Sequence, residues 1–171
     1  LMKSKKNLVF LGMMGSGKSS IGLIISKKLK LDFIDIDHEI ESELGIKVST
    51  IFETKSESYF REIEERISLK ILQKNNTIIS LGGGAFINQN IRKEVLENHI
   101  SFWLNWNSVT LIKRINHSHK RPIAVKASKN ELLEIIKKRS KIYSKALYRI
   151  DCEGLTKNEI TKKILKIYET Y

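Results

Sequence analysis

The sequence predicts an α/β fold: a parallel sheet of about five strands, doubly wound, with helices on both faces. Three observations lead there. Short apolar or β-branched runs alternate with segments whose apolar residues recur at helical spacing. The first run is joined to the first helix by a glycine-rich loop of pattern G-x-x-x-x-G-K-[ST]. No internal repeat or linker breaks the alternation, so residues 1–171 read as a single domain, long enough to bury a core without disulfides or structural metal.

Strand one runs from about Asn7 to Leu11, and Ile21, Ile24, Ile25 and Leu29 mark a helix reaching Lys30. Leu31 to Ile36 is the second strand. It ends in Asp35-Ile36-Asp37, where the period of two sets both carboxylates on one side near the strand's C-terminal end. His38 to Leu44 is a helix stopped by Gly45, and Val48 to Phe52 is a further short one. A longer helix follows, with Phe60, Ile63, Ile67 and Ile71 as its buried stripe. Arg61, Glu62, Glu64, Glu65 and Arg66 take the remaining surface, and Asn75-Asn76 ends it.

Thr77 to Leu81 reads as a buried third strand running directly into Gly82-Gly83-Gly84, which implies close backbone approach to something. Asn88 caps a helix through His99, Ile100 to Leu104 is strand four, and Asn107 or Ser108 caps a helix to about Ile115. Residues 116–129 lack periodicity and carry His117, His119, Lys120, Arg121 and Lys126, the composition of a mobile lid. Asn130 caps a helix bearing Leu132, Leu133, Ile135, Ile136 and Arg139 and continuing toward Leu147; Tyr148 to Cys152 is strand five. Thr156 and Glu159 form a capping box that starts a last helix with Ile160, Ile164 and Tyr168 inward.

Composition narrows the function. A net charge of +12 invites nucleic acid, but the lysines are spread along the whole length, without aromatic interleaving or a recognition-helix pattern. Nucleic acid is therefore not the expected partner, although a cationic surface attracts small anions. There is no transmembrane run. Lys3, Lys5 and Lys6 precede apolar residues 8–14 as in a secretory signal, but Gly12 breaks the run and no small-residue cleavage site follows. Cys152 is the only cysteine, read as a small apolar residue at a strand end, which suits a reducing cytoplasm.

The loop carries the chemistry. Gly12, Gly15 and Gly17 let successive N–H groups turn inward as an anion nest at the positive end of the first helix, with Ser16 between them. Lys18 reaches the β- and γ-phosphoryl oxygens of a nucleotide, the Ser19 hydroxyl coordinates Mg²⁺, and Ser20 adds a hydroxyl near the α-phosphate. Asp35 and Asp37 suit either Mg²⁺ and proton acceptance or an acidic strand-to-helix cap, and spacing alone leaves both open. Arg61, Arg121 and Arg139 stand out in a chain that otherwise uses lysine, because the planar fork grips a carboxylate or phosphate bidentately. Glu64, three residues on, could orient Arg61. His117 and His119 read as solvated loop residues, with no third ligand at useful spacing.

Taken in order, Gly-Met-Met-Gly-Ser-Gly-Lys-Ser-Ser at 12–20, Phe-Ile-Asp-Ile-Asp at 33–37, Phe-Arg-Glu-Ile-Glu at 60–64, Ser-Leu-Gly-Gly-Gly-Ala at 80–85 and Arg-Pro at 121–122 resemble the shikimate kinases over essentially the whole length. The first motif alone marks any P-loop protein; the five together are specific. The resemblance implies a P-loop NTPase fold of the nucleoside-monophosphate-kinase type, with strand order 2-3-1-4-5. The implied activity is ATP-dependent phosphorylation of the 3-hydroxyl of shikimate, giving shikimate 3-phosphate and ADP in aromatic amino-acid biosynthesis. It places Asp37, Arg61, Arg139 and the Gly82, Gly83, Gly84 loop on shikimate, with Lys18, Asp37 and Arg121 catalytic. Gly15 to Ser20, Arg114 beside the adenine and Arg121 on the phosphates would bind ATP. Ser19 would touch Mg²⁺ directly, Asp35 through water, and Glu64 would orient Arg61. The expected protein is a cytoplasmic monomer. The alternatives are a small P-loop kinase acting on gluconate or a nucleotide, or a P-loop NTPase that is not a kinase.

Overall fold

The computed structural model describes residues 6–118 and 127–171. Among them, β1 (Leu8–Leu11), β2 (Asp32–Asp35), β3 (Thr77–Ser80), β4 (Ile100–Asn105) and β5 (Tyr148–Asp151) form one parallel sheet in the order β2-β3-β1-β4-β5. Helices α1 (Lys18–Leu29) and α8 (Lys157–Tyr168) cover one face. On the other lie α2 (Ile36–Leu44), α3 (Val48–Thr54), α4 (Glu57–Leu72), α5 (Gln89–Asn98), α6 (Ser108–Asn116) and α7 (Lys129–Tyr143).

The alternation of a β-strand sorts the core into two halves. Leu8 and Phe10 of β1 pack with Ile78, Phe102 and Leu104 against Ile21 and Ile25 of α1 and Ile160 and Ile164 of α8. Val9 and Leu11 face the other way, with Ile79 and Trp103, toward Phe60, Ile63 and Ile67 of α4 and Leu132 and Ile136 of α7. Both faces being covered explains why the central strands read as continuous apolar runs. Because all strands are parallel and Phe10 and Asp35 both register with Ser80, their C-terminal ends come together along one edge. Ligands of open α/β sheets bind there.

Four element boundaries differ from the sequence expectation, each for a local reason. Helix α2 starts at Ile36 rather than His38, because Asp35 is its N-cap and accepts from the N–H groups of Asp37 and His38. Helix α4 ends at Leu72, ahead of Asn75-Asn76, and Asn76 takes the left-handed conformation (φ 53°) leading into β3. Ser128, not Asn130, caps α7 in a reciprocal box with Glu131. That helix closes at Tyr143, short of Leu147, whose N–H donates to Ser101 Oγ. Within the span expected as a lid, Asn116 is still α6 and Lys129 already α7; residues 119–126, with His119, Lys120 and Arg121, lie outside the described residues.

At the opposite edge of the sheet, fully buried Asn7 closes the α4–β3 connection. Its Nδ2 donates to the carbonyls of Leu72 (3.2 Å) and Lys74 (2.7 Å), and its Oδ1 accepts from Thr77 N–H (3.0 Å). Asn7→Ala removes the partner of two buried backbone groups, Leu72 O and Thr77 N–H, and of the partly buried Lys74 carbonyl. It should lower unfolding free energy by about 3 kcal/mol, since each unmet buried group costs roughly 1–3 kcal/mol. Urea unfolding checks this, with an unchanged midpoint as the contrary result.

Candidate active site

The phosphate loop hangs from β1 and turns on glycine. Gly12, Gly15 and Gly17 have φ of 143°, 82° and 92°, the left-handed side that other residues seldom adopt. A side chain at Gly12 would also strike the Leu104 carbonyl at 2.9 Å. Lys18 folds back over the loop, its Nζ donating to the Gly12 and Met13 carbonyls at 2.9 Å each. Ser16 is buried with its Oγ unpartnered, and the Ser20 hydroxyl donates to Gly17 O (3.2 Å). The outer side of the loop is braced by two residues: Trp106 Nε1 donates to Ser16 O (2.8 Å), and Arg114, stacked 3.8 Å over the Trp106 ring, donates to Gly15 O (3.1 Å).

Of the two readings of Asp35, the structure bears out the strand-to-helix cap. One carboxylate oxygen caps α2 while the other accepts from the exposed Ser19 hydroxyl, which also lies 3.4 Å from Ser80 Oγ. A hydroxyl and a carboxylate oxygen side by side form a hard-oxygen donor pair beside the loop.

The three glycines after β3 are where the remaining groups meet. A Cβ on Gly82 would lie 2.8 Å from Glu64 Oε2 and 2.9 Å from Asp37 Oδ1. On Gly83 it would lie 3.2 Å from Met14 N, in the phosphate loop, and 3.5 Å from Arg139 Nη1. On Gly84 it would overlap the Arg61 guanidinium at 2.5 Å. The bare backbone thus lets two carboxylates, the phosphate loop and two guanidinium groups close on one point. Arg61, Gly84 and Arg139 line a cavity of about 370 Å³, together with Glu57, Asn88 and Lys138.

Glu64, expected on the surface of its helix, is buried at 2% exposure instead, and it does orient Arg61, accepting from Nη1 at 2.7 Å. Glu57 accepts from Nη2 at 3.3 Å. Burial works against the Arg61 charge, but Glu64 and Glu57 outweigh it and hold the guanidinium more firmly protonated than usual. Burial also lifts the Glu64 carboxyl above its ordinary range, against the pull of Arg61 and Arg139. Asp37 is pushed up to about 6, first by desolvation, then by Asp35 and Glu64, with Lys18 and Arg61 pulling the other way.

The structure therefore brings together Lys18, Ser19, Asp35, Asp37, Arg61, Gly82, Gly83, Gly84 and Arg139, while Arg121 lies outside the described residues. Sequence reasoning missed Trp106 and Tyr143. Trp106 stands just past β4, at the sheet edge where ligands gather; Tyr143 lies four residues after Arg139, on the same helical face. Both signals were present. Glu153 was missed too: it accepts from Asn107 N–H (3.1 Å) and Thr110 Oγ1 (2.7 Å), capping α6 from the loop after β5, so that loop serves the helix end.

Fold, phosphate loop and adjoining cationic cavity define a P-loop phosphotransferase of the nucleoside-monophosphate-kinase type. The family model for shikimate kinase matches residues 14–169. Shikimate kinase of Thermodesulfovibrio yellowstonii is 37% identical over 165 residues, 96% of this chain and 95% of its own length. That of Persephonella marina is 38% identical over 160 residues, 94% of this chain and 97% of its own. The structure of shikimate kinase from Acinetobacter baumannii in complex with shikimate matches with a TM-score of 0.92 at 25% identity, covering 98% of this chain and 95% of that one. The chain belongs to the shikimate kinase family.

Burial and neighbouring carboxylates should be visible in the titration of Asp37, followed by carboxyl-carbon NMR. Its midpoint is expected near pH 6. Glu64→Gln removes a neighbouring negative charge and lowers the midpoint; Lys18→Met removes a positive one and raises it. Because the folded chain binds this proton more tightly than the unfolded chain, the contribution of Asp37 to stability is present below its ordinary range and is lost as pH rises through about 6. A midpoint near the ordinary value of about 4 contradicts the assigned environment.

Proposed function

We propose that this chain transfers the γ-phosphoryl group of ATP to the 3-hydroxyl of shikimate, giving shikimate 3-phosphate and ADP. The observation that carries the reading is the pairing of Arg61 and Arg139 on one cavity whose glycine wall touches the phosphate loop. Two guanidinium groups suit a single carboxylate, and Asp37 suits the hydroxyls of the same small ring. The buried Glu64 keeps Arg61 aimed and desolvated, so the acid is recognised by a preset fork.

The nucleotide polyphosphate is received by the N–H groups of Gly15, Ser16, Gly17, Lys18, Ser19 and Ser20 at the start of α1, with Arg114 on the adenine side. Lys18 exchanges its contacts with the Gly12 and Met13 carbonyls for phosphoryl oxygens. Arg121 would join them from the segment between α6 and α7. The Ser19 hydroxyl and, through water, Asp35 would hold Mg²⁺, a donor set adequate for an ion that keeps most of its ligands as water and phosphate. When bound, that ion neutralises charge between the β- and γ-phosphoryl oxygens. The acceptor oxygen attacks phosphorus, its proton passes to the Asp37 carboxylate, and the bridging oxygen leaves with ADP.

All the side chains gathered at the site come from one chain, so a monomer suffices, and residues 1–171 act as one kinase domain with the segment between α6 and α7 as its lid. We place the reaction in the cytoplasm, where Cys152 stays reduced. Its thiol is fully buried and pushed up to about 12, first by that burial, so it is chemically quiet.

ADP release measured with shikimate, gluconate, nucleoside monophosphates or water as acceptor tests the reading directly. Turnover should require shikimate; equal turnover with gluconate, or with no acceptor, overturns it. Two substitutions then separate binding from chemistry. Arg139→Ala should raise KM for shikimate roughly 10- to 150-fold, the loss of a charge-assisted bond of about 1.5–3 kcal/mol, while KM for ATP changes little. Asp37→Asn should lower kcat at least about a hundredfold. Steady-state kinetics in both substrates checks the pair, and equal effects on both KM values speak against the carboxylate clamp.

A further inference from the structure

Tyr143, the last residue of α7, is a buried polar group with no part in the reading above. It is 1% exposed, its ring packs against Trp103 with centroids 6.0 Å apart, and its hydroxyl donates to the carbonyl oxygen of Gly83. Met13 Sδ, in the phosphate loop, lies 3.8 Å from the Tyr143 hydroxyl oxygen, and the Arg139 guanidinium, one turn back on α7, is hydrogen-bonded with that hydroxyl. Burial pushes the phenol up to about 12, so at neutral pH the hydroxyl keeps its proton and remains a donor.

The consequence lies on the far side of the bond. A trans peptide is planar, so when its carbonyl points one way the following N–H points the other. There is no cis peptide here, and Tyr143 approaches Gly83 O from the core, which leaves the Gly84 N–H directed away from it. Gly84 lines the cavity, and among the described residues its N–H donates to no protein acceptor. A Gly-Gly peptide has little steric preference of its own and would otherwise reorient at small cost.

We propose that Tyr143 is a positioning residue: its hydroxyl fixes the Gly83–Gly84 peptide so that the Gly84 N–H faces the acceptor cavity as a donor to substrate hydroxyl or carboxylate oxygen. The same bond ties the end of the helix carrying Arg139 to the loop touching the phosphate cradle, and so holds acceptor and donor halves at one spacing. The substrate side of the proposal rests on the shikimate reading; the peptide orientation does not.

The test compares wild type with Tyr143→Phe, which keeps the ring and its packing on Trp103. In the ligand-free proteins, ¹⁵N NMR should show the Gly84 amide resonance displaced in the variant. In steady-state kinetics, KM for shikimate should rise roughly five- to thirtyfold, the effect of one or two kcal/mol, with KM for ATP within about twofold. A Gly84 resonance in its wild-type position, an unchanged KM for shikimate, or equal rises in both KM values overturns the proposal. If the wild type fails to phosphorylate shikimate, the activity reading falls and the amide comparison alone decides the orientation.

Discussion

Three successive residues without side chains, Gly82, Gly83 and Gly84, set the distance between everything chemical in this molecule. Their conformational freedom is secondary: Gly84 has an ordinary φ of −99°, so what matters is the missing Cβ. In its place sit the Arg61 guanidinium at Gly84, the phosphate loop and Arg139 at Gly83, and the carboxylates of Asp37 and Glu64 at Gly82. Protein interiors do not absorb a shift of even a methylene without strain, so a side chain here would push the acid clamp away from the phosphoryl donor. Phosphoryl transfer depends chiefly on position and charge, and a misplacement of about 1 Å is costly.

That close approach creates an electrostatic problem which the site resolves by pairing. Asp35, Asp37 and Glu64 cluster with Lys18, Arg61 and Arg139, so partly desolvated charges of both signs compensate one another. The compensation is uneven. Glu64 has Arg61 at 2.7 Å and serves as its anchor, whereas Asp37, which has no direct ion pair among the described residues, takes the larger consequence of burial and like charge. Burial raises both carboxyls, so near the same glycine, but Arg61 and Arg139 pull Glu64 back while Asp35 and Glu64 push Asp37 further.

How much of this the sequence disclosed follows from the range of the interactions. The phosphate loop, the stripe of Phe60, Ile63, Ile67 and Ile71, and the capping box of Thr156 and Glu159 rest on local or strongly periodic patterns, whereas the strand order was implied only by the family resemblance. Where the expectation failed, a nearby competitor was stronger: Asp35 took the α2 cap, and Ser128 with Glu131 made a complete box where Asn130 offered half of one. The burial of Glu64 was illegible because it depends on what Gly82 leaves empty, eighteen residues further on. Asn7, Trp106 and Tyr143 are of the same kind, since their hydrogen bonds reach 60 to 90 residues along the chain. Periodicity cannot report partners at that distance.

The two edges of the sheet divide the labour accordingly. At the N-terminal edge buried Asn7 is satisfied internally: it spends its hydrogen bonds on Leu72, Lys74 and Thr77, and stability is what it contributes. At the C-terminal edge the polar groups are satisfied only in part, with the Ser16 hydroxyl and the Gly84 N–H lacking protein partners among the described residues. Buried donors without acceptors are unfavourable in an isolated fold. Ser68 Oγ, His99 Nδ1 and Thr161 Oγ1 are also unpartnered and lie elsewhere in the fold, but the Ser16 and Gly84 groups lie where an anionic ligand would supply acceptors, so that part of the cost of shaping the site is recovered when ligand binds.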